Sequence, residues 1–177
     1  AILDDDGNTL PQGSVGEVCI RSVANFLGYW KNEQATKDAF TEDMYFRTGD
    51  LGYLDEDDYL YIVDRKKDII IRGGENISCS EVEDAIYAHD DIAECSGFGL
   101  PDERFVEVPA AVILTKDGRE TVTPTALREF LLKNTAPFKV PLEEHIFVVH
   151  ETLPRLGTQK VDKKTLREQY TKRLAAA

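Results

Sequence analysis

A run of five charged residues, 64–68, separates two apolar segments of the chain. The segment 59–63 before it reads Tyr-Leu-Tyr-Ile-Val, and the segment 69–71 after it is three isoleucines. Short apolar runs of this kind are typical of buried strands, whereas consecutive charges are costly to bury between such strands. The charged run therefore predicts a solvated hinge at 65–68 between a β-rich region at 1–64 and a second folded region at 69–174.

The region before the hinge has the pattern of short strands separated by polar turns. Residues 16–21 form a predicted strand, and residues 45–54 and 59–63 form a predicted hairpin around an acidic turn. Asn32 is the expected N-cap of a short helix. An aromatic cluster at 26–30 exceeds what so small a region can bury. We therefore expect an exposed apolar patch that contacts a further domain or leads to self-association.

The region after the hinge alternates strand and helix signals. Strands are expected at 68–72, 92–99, 108–115 and 145–150, and turns at 73–76 and 116–118. Helices are expected after the capping-box serines Ser78 and Ser80, at Pro124 after Thr123, and after Asp162. The pattern predicts an α+β fold, a small C-terminal lid domain with a three-stranded sheet and helices.

The charge balance argues against a nucleic-acid partner. The chain has 33 acidic and 21 basic residues, for a formal net charge of −12, and phosphate backbones require a basic surface. The stretch from Pro154 onward is the exception, since its basic residues outnumber the acidic ones. That stretch is the region of the chain best suited to an anionic ligand, although most of its charges fit an ordinary solvated helix face.

Cysteine usage and hydropathy predict the compartment. Cys19, Cys79 and Cys95 show no Cys-x-x-Cys spacing, and the three histidines are scattered, so no metal site is predicted. No apolar run approaches the ~20 residues that span a bilayer. We therefore expect no transmembrane segment and a cytoplasmic, reducing location.

Four motifs in order give the chain a family resemblance. They are Arg47-Thr-Gly-Asp50, Asp64-Arg-Lys-Lys-Asp68, Ile71-Arg-Gly-Gly-Glu-Asn-Ile77 and Leu153-Pro-Arg-Leu-Gly-Thr-Gln-Lys160. In this order and spacing they resemble the C-terminal part of the adenylate-forming enzymes, which include acyl-CoA synthetases, luciferases and peptide-synthetase adenylation domains. The resemblance to acyl-CoA synthetases implies that a carboxylic acid and ATP form acyl-AMP, from which CoA displaces AMP.

The same resemblance implies what the chain lacks. The phosphate loop and the acyl pocket of such an enzyme would precede Ala1, so the chain is expected to be inactive alone. Mg²⁺ would bind mainly with the triphosphate and that preceding domain. The identity of the acid is not encoded in this part of the chain.

Three residues are implied nucleotide ligands. The resemblance makes Asp50 the acceptor for the ribose hydroxyls of ATP, because a carboxylate can accept two charge-assisted hydrogen bonds. Arg65 would donate to ribose or phosphate oxygens, and Ile62 would face the nucleotide. Without the family, Asp50 would be read as stabilising its own turn, Arg65 as a solvated charge and Ile62 as strand packing.

The other implied residues serve the change between the two half-reactions. Lys67 stands at the hinge position, where the backbone must change its torsions while the side chain remains solvated. Gly73 and Gly74 resemble the loop that lines the pantetheine tunnel in the second half-reaction. An ordinary glycine turn is the alternative for these two residues.

Lys160 is the implied catalytic residue. An ammonium group near the α-phosphate would neutralise negative charge as it develops during acyl-adenylate formation. One residue departs from the family pattern, because Gln159 stands where the family has glycine. This departure is expected to restrict the loop and slow adenylation, and it breaks the pattern associated with regulatory lysine acetylation. Three alternatives to an acyl-CoA synthetase remain: an adenylation domain of a peptide synthetase, a luciferase and a non-catalytic lid-like interaction module.

Overall fold

The computed structural model describes residues 1–116 and 122–176. The chain divides into two compact units, Ala1–Lys67 (unit 1) and Asp68–Ala177 (unit 2). The division falls inside the segment 65–68, whose role as a hinge stays a prediction. Most of the turn expected at 116–118 lies outside the described residues.

Unit 1 is an antiparallel sheet with one short helix. Its strands are β1 (Ile2–Leu3), β2 (Gly16–Ile20), β3 (Phe46–Leu54) and β4 (Leu60–Arg65), in the order β1-β2-β3-β4. Helix α1 (Glu33–Ala39) begins after Asn32, whose side chain accepts a hydrogen bond from the Ala35 N–H at 3.0 Å. Strands β3 and β4 form the predicted hairpin, and the predicted N-cap at Asn32 is also confirmed.

The burial pattern of unit 1 differs from the pattern expected for its strands. Leu60–Val63 of β4, expected to be buried, are all exposed, whereas the neighbouring Asp64 is buried. In β2 the sequence alternates Val18 and Ile20 with Glu17 and Cys19, which predicts that Ile20 is buried and Glu17 exposed. This prediction is wrong, because Glu17 is only 5% exposed while Ile20 is exposed. A register shift between Glu17 and Cys19 interrupts the pairing of β2 with β3 and changes which side chains face inward.

The described residues of unit 2 form a mixed five-stranded sheet and three α-helices. The strands are β5 (Ile69–Arg72), β6 (Glu75–Ser78), β7 (Ile92–Asp102), β8 (Val106–Thr115) and β9 (Ile146–Val149). The helices are α2 (Cys79–Tyr87), α3 (Pro124–Asn134) and α4 (Lys163–Ala175). The sheet order is β6-β5-β8-β7, and β9 pairs with β8 in parallel. The predicted α+β class is confirmed.

The sheet has two strands more than the predicted three. Strands β7, β8 and β9 pair over long registers, whereas the β5–β6 hairpin joins β8 only at the pair Arg72 and Val106. Strand β6 was expected to be part of a turn. Gly73 and Gly74 have φ values of +58° and +92° and close a two-residue hairpin turn. Two positive φ values suit the tight turn that returns the chain directly into a paired strand.

Helices cover both faces of the β7–β8–β9 sheet. One apolar cluster contains Val82 and Ile86 of α2 with Leu127 and Leu131 of α3, and the other includes Leu166 and Tyr170 of α4. The sheet is therefore buried on two sides, which explains the nearly continuous apolar sequence of β7 and β8. The Ser78, Thr123 and Asp162 side chains cap their helices as predicted, whereas Ser80, also expected to precede the helix, lies inside α2. Within residues 1–116 and 122–176, no helix is long and apolar enough to cross a membrane.

Candidate functional site

The residues 48–50 form a bulge inside β3. They do not end the strand, because β3 continues to Leu54. Arg47 pairs with Cys19 and Leu51 with Glu17, so three residues of β3 lie opposite Val18 alone. Gly49 has a φ of +73°, a conformation that side chains disfavour. The bulge redirects the side chains of its own residues, including Asp50.

Asp50 and Arg65 are direct partners across β3 and β4. The Arg65 Nε lies 2.8 Å from Asp50 Oδ1, and both side chains are partly exposed. The Asp50 N–H donates to Thr48 Oγ1 at 3.0 Å, and Thr48 Oγ1 donates to the Val18 carbonyl at 2.7 Å. The sheet therefore holds an anionic acceptor and a planar cationic donor side by side at its surface. Two of the three predicted nucleotide ligands, Asp50 and Arg65, form this pair.

A buried carboxylate, which the sequence reasoning missed, supports this arrangement. Glu17 Oε2 lies 2.9 Å from Arg47 Nη1 and 3.2 Å from Lys66 Nζ, and Glu17 Oε1 accepts the Gly49 N–H at 3.3 Å. Lys66 Nζ also binds Asp5 at 2.7 Å. The hydrogen bond to Asp5 raises the pKa of Lys66 despite its partial burial. Glu17 therefore joins the bulge to the end of β4.

A cleft of about 520 Å³ lies beside the bulge. Its walls come from the Glu17 network, from the bulge and from aromatic and helical residues: Glu17, Tyr29, Ala35, Asp38, Ala39, Phe46, Arg47, Thr48, Gly49 and Lys66. Asp50, Ile62 and Arg65 do not line it. Ile62 is 57% exposed on β4, and Lys67 is exposed in the 3₁₀ turn Lys66–Asp68.

In unit 2, Gly73 and Gly74 form the tip of the β5–β6 hairpin. The Gly73 N–H donates to the Phe105 carbonyl at 2.8 Å. The guanidinium groups of Arg72 and Arg104 lie 4.3 Å and 4.9 Å from the centre of the Phe105 ring. A Cβ on Gly74 would meet nothing within 4 Å, so the positive φ, not space, accounts for glycine there. The two cations and the ring beside the glycines were not singled out in the sequence.

Lys160 lies in an exposed loop between β9 and α4. Among residues 1–116 and 122–176 its ammonium forms no ion pair. Gln159, directly before it, has a φ of +68°. The left-handed conformation explains why glycine is the ordinary residue at that position.

The described residues offer neither a metal cluster nor a reactive thiol. In residues 1–116 and 122–176, no group of three or more His, Cys, Asp or Glu side chains could hold a metal ion. The three cysteines are buried, and none of them forms a disulfide. Burial raises the pKa of Cys19, and it raises the pKa of Cys95 to about 12. These two thiols are therefore protonated near neutral pH.

Comparisons with known proteins agree with the motifs. Residues 81–160 match the family model of the AMP-binding enzyme C-terminal domain. The oxalate–CoA ligase of Saccharomyces cerevisiae is 42% identical over 97% of this chain and 31% of its own length. The long-chain-fatty-acid–CoA ligase FadD13 of Mycobacterium tuberculosis is 40% identical over 97% of this chain and 33% of its own length.

A solved structure extends this similarity to the fold. The ATP-bound MatB of Rhodopseudomonas palustris is 34% identical to this chain and superposes with a TM-score of 0.87. The superposition covers 96% of this chain and 33% of the MatB chain. The chain therefore spans about a third of the length of the relatives that it matches.

Proposed function

Because the chain belongs to the adenylate-forming, AMP-binding enzyme family, we propose that it is the C-terminal third of an AMP-forming acyl-CoA ligase. Such a ligase joins a carboxylic acid to ATP, releases pyrophosphate, and transfers the acyl group from acyl-AMP to CoA. Ligases of oxalate and of long-chain fatty acids are among the relatives at about 40% identity. Their acids differ widely, so the proposal names no acid.

The observation that carries this proposal is the Asp50–Arg65 pair. Asp50 Oδ1 accepts from Arg65 Nε, and among the described residues Asp50 Oδ2 accepts no hydrogen bond. That free oxygen can accept from a ribose hydroxyl, while Arg65 retains donors for neighbouring oxygens. Ile62, exposed on β4, supplies an apolar contact for the nucleotide.

Lys160 is proposed to act in the first half-reaction. Its exposed ammonium can approach the α-phosphate and stabilise the negative charge that develops as the carboxylate attacks. Mg²⁺ is proposed to bind with the triphosphate and the rest of the ligase, since the described residues provide no cluster for it.

Gly73 and Gly74 are proposed to serve the second half-reaction. A hairpin tip without side chains allows the pantetheine arm of CoA to lie along the backbone. Lys67, at the end of unit 1, is proposed as the hinge between the two half-reactions. The exposed apolar residues of unit 1 are proposed to contact the rest of the ligase. A reducing, cytoplasmic location is proposed because the three buried cysteines form no disulfide.

The test is Lys160→Ala in the longer ligase that contains this chain. The rate of acyl-AMP formation, measured by pyrophosphate release, should fall by about 10²–10³-fold because one charge-stabilising group is lost. Thioester formation from supplied acyl-AMP and CoA should remain unchanged. Equal losses in both half-reactions, or none in the first, would contradict the assignment. The 177-residue chain alone should show no turnover, and measurable turnover would contradict its proposed status as a partial enzyme.

A further inference from the structure

The loop that carries Lys160 is a short hairpin with a strained residue. Its flanking residues Arg155 and Val161 form an isolated antiparallel bridge. The Gln159 N–H donates to the Leu156 carbonyl at 2.9 Å, and the Leu156 N–H donates to the Lys160 carbonyl at 2.8 Å. In three-residue hairpin loops the last loop residue adopts a left-handed conformation, for which glycine is preferred. Here Gln159 adopts it, so the loop requires stabilisation from elsewhere.

One side chain supplies that stabilisation. Arg155 Nη1 donates to the Gln159 carbonyl at 2.8 Å, and Arg155 Nη2 lies 2.5 Å from Glu94 Oε1. Glu94 belongs to β7, and its position is set by pairing with Leu114 of β8. The guanidinium thus connects the carbonyl directly before Lys160 to the central sheet. A guanidinium can make both bonds at once because its donors have fixed directions.

The base of the loop is held separately. The Asp162 N–H donates to the Pro154 carbonyl at 2.8 Å, and Lys163 Nζ lies 2.9 Å from Glu83 Oε1 of α2. Removing the Arg155 side chain should therefore release the tip of the loop while the ends of the loop remain attached. Since the ion pair is partly exposed, it contributes little to global stability. Its effect should be local.

We propose that Arg155 is a positioning residue that presents Lys160 for adenylation by holding the Gln159 carbonyl against Glu94. This inference rests on the proposed function and assigns to Arg155 no contact with substrate. Arg155 acts only through Lys160, so its loss should affect the first half-reaction and leave the second intact.

The first experiment measures the loop directly in the 177-residue chain. Endoproteinase Lys-C, which cleaves after lysine, is added to the native chain, and mass spectrometry follows cleavage of the Lys160–Val161 bond. Arg155→Ala should accelerate this cleavage at least ~5-fold, because a protease requires the loop to leave its folded conformation. Unchanged cleavage would overturn the proposal.

Arg167→Ala is the matched control. Arg167 also pairs with a sheet carboxylate, that of Glu107. The Arg167 side chain is 44% exposed and the Arg155 side chain 39%. Arg167 makes no bond to the loop among the described residues. Cleavage after Lys160 should therefore stay at the wild-type rate in Arg167→Ala. Equal acceleration in both variants would assign the effect to general loosening and overturn the proposal.

The second experiment separates the half-reactions in the longer ligase. Arg155→Ala should lower the kcat of acyl-AMP formation by ~10-fold or more, and Arg155→Lys should rescue it only partly. Thioester formation from supplied acyl-AMP should stay within twofold of wild type. In a Lys160→Ala background, Arg155→Ala should cause no further loss, since residues that act through one another are not additive.

The outcomes distinguish this inference from the function on which it rests. If Lys160→Ala blocks adenylation but Arg155→Ala does not slow it, only the positioning role is overturned. Additive losses in the double variant, or equal losses in both half-reactions, would likewise overturn it. If Lys160→Ala leaves adenylation unchanged, the proposed catalytic function fails and the positioning role fails with it.

Discussion

The sheets of the two units differ in how completely they are covered. In unit 2, helices pack on both faces of β7, β8 and β9, and residues such as Ala111, Ile113 and Leu127 are fully buried. In unit 1, the large apolar residues of β4 are all exposed, and helix α1 contributes no buried residue. Unit 2 therefore contains its own core, whereas unit 1 exposes apolar residues of the kind that mark interaction surfaces. An apolar strand sequence can therefore belong to a sheet that helices cover or to a strand that is exposed.

The strongest test of this contrast is to express the two units separately. Residues 68–177 should fold cooperatively, because their apolar clusters are internal to unit 2. Residues 1–67 should unfold without a cooperative transition or aggregate, because so few of their apolar side chains are buried. Thermal unfolding followed by circular dichroism, with sedimentation to detect aggregates, distinguishes these results. A sharp, reversible transition in monomeric 1–67 would contradict the contrast.

A pair of truncations compares the two apolar surfaces within the whole chain. Leu127→Ala should destabilise unit 2 by about 3 kcal/mol, because it leaves a cavity in a fully buried cluster. Ile62→Ala, at an exposed position of unit 1, should change stability by less than about 0.5 kcal/mol. Urea denaturation monitored by circular dichroism measures both. Comparable losses would show that β4 is packed more tightly than its exposure indicates.

The buried charge of unit 1 gives a smaller effect. Glu17→Gln should destabilise unit 1 by about 2 kcal/mol, because it removes the anion that Arg47 and Lys66 share inside the fold. Asp5→Asn is the control, since Asp5 is an exposed partner of Lys66. The control should not measurably change the urea midpoint. Equal shifts of the urea midpoint in Glu17→Gln and Asp5→Asn would contradict the proposed importance of the buried carboxylate.

The smallest expected effect is a pH dependence in unit 2. Burial lowers the pKa of His145 below its ordinary 6.5, against the opposite influences of Glu144 and Asp102. Its Nδ1 is buried, and no described residue hydrogen-bonds to it. The unfolded chain therefore takes up the proton more readily. The stability that neutral His145 contributes is fully present above pH 6.5. It is lost as the pH falls through the lower pKa of His145 in the folded state.

Replacing this histidine should flatten the profile. His145→Gln should lose less stability than wild type between pH 7 and pH 5, as measured by urea midpoints. His150→Gln, at an exposed position, should follow the wild-type profile. Parallel curves for all three proteins would show that His145 is not the group responsible.

The sequence was a reliable guide wherever a structure depends on near neighbours. The helix caps at Asn32, Ser78, Thr123 and Asp162 bond groups three residues away, so their patterns could be read directly. Gly73 and Gly74 also predicted a turn from local sequence. The observed turn is shorter than the expected 73–76, and strand β6 begins directly after it. The four ordered motifs identified the family and the candidate residues, whose roles remain predictions.

Only the tertiary structure decided which distant groups meet. Asp50 and Arg65 become partners because the antiparallel pairing of β3 with β4 places them opposite each other. Glu17 is buried beside Arg47 and Lys66, which are 30 and 49 residues away. Arg155 reaches Glu94 across 61 residues. The path of the backbone determines such contacts, whereas local sequence determines caps and turns, because a side chain interacts only with groups within a few ångströms.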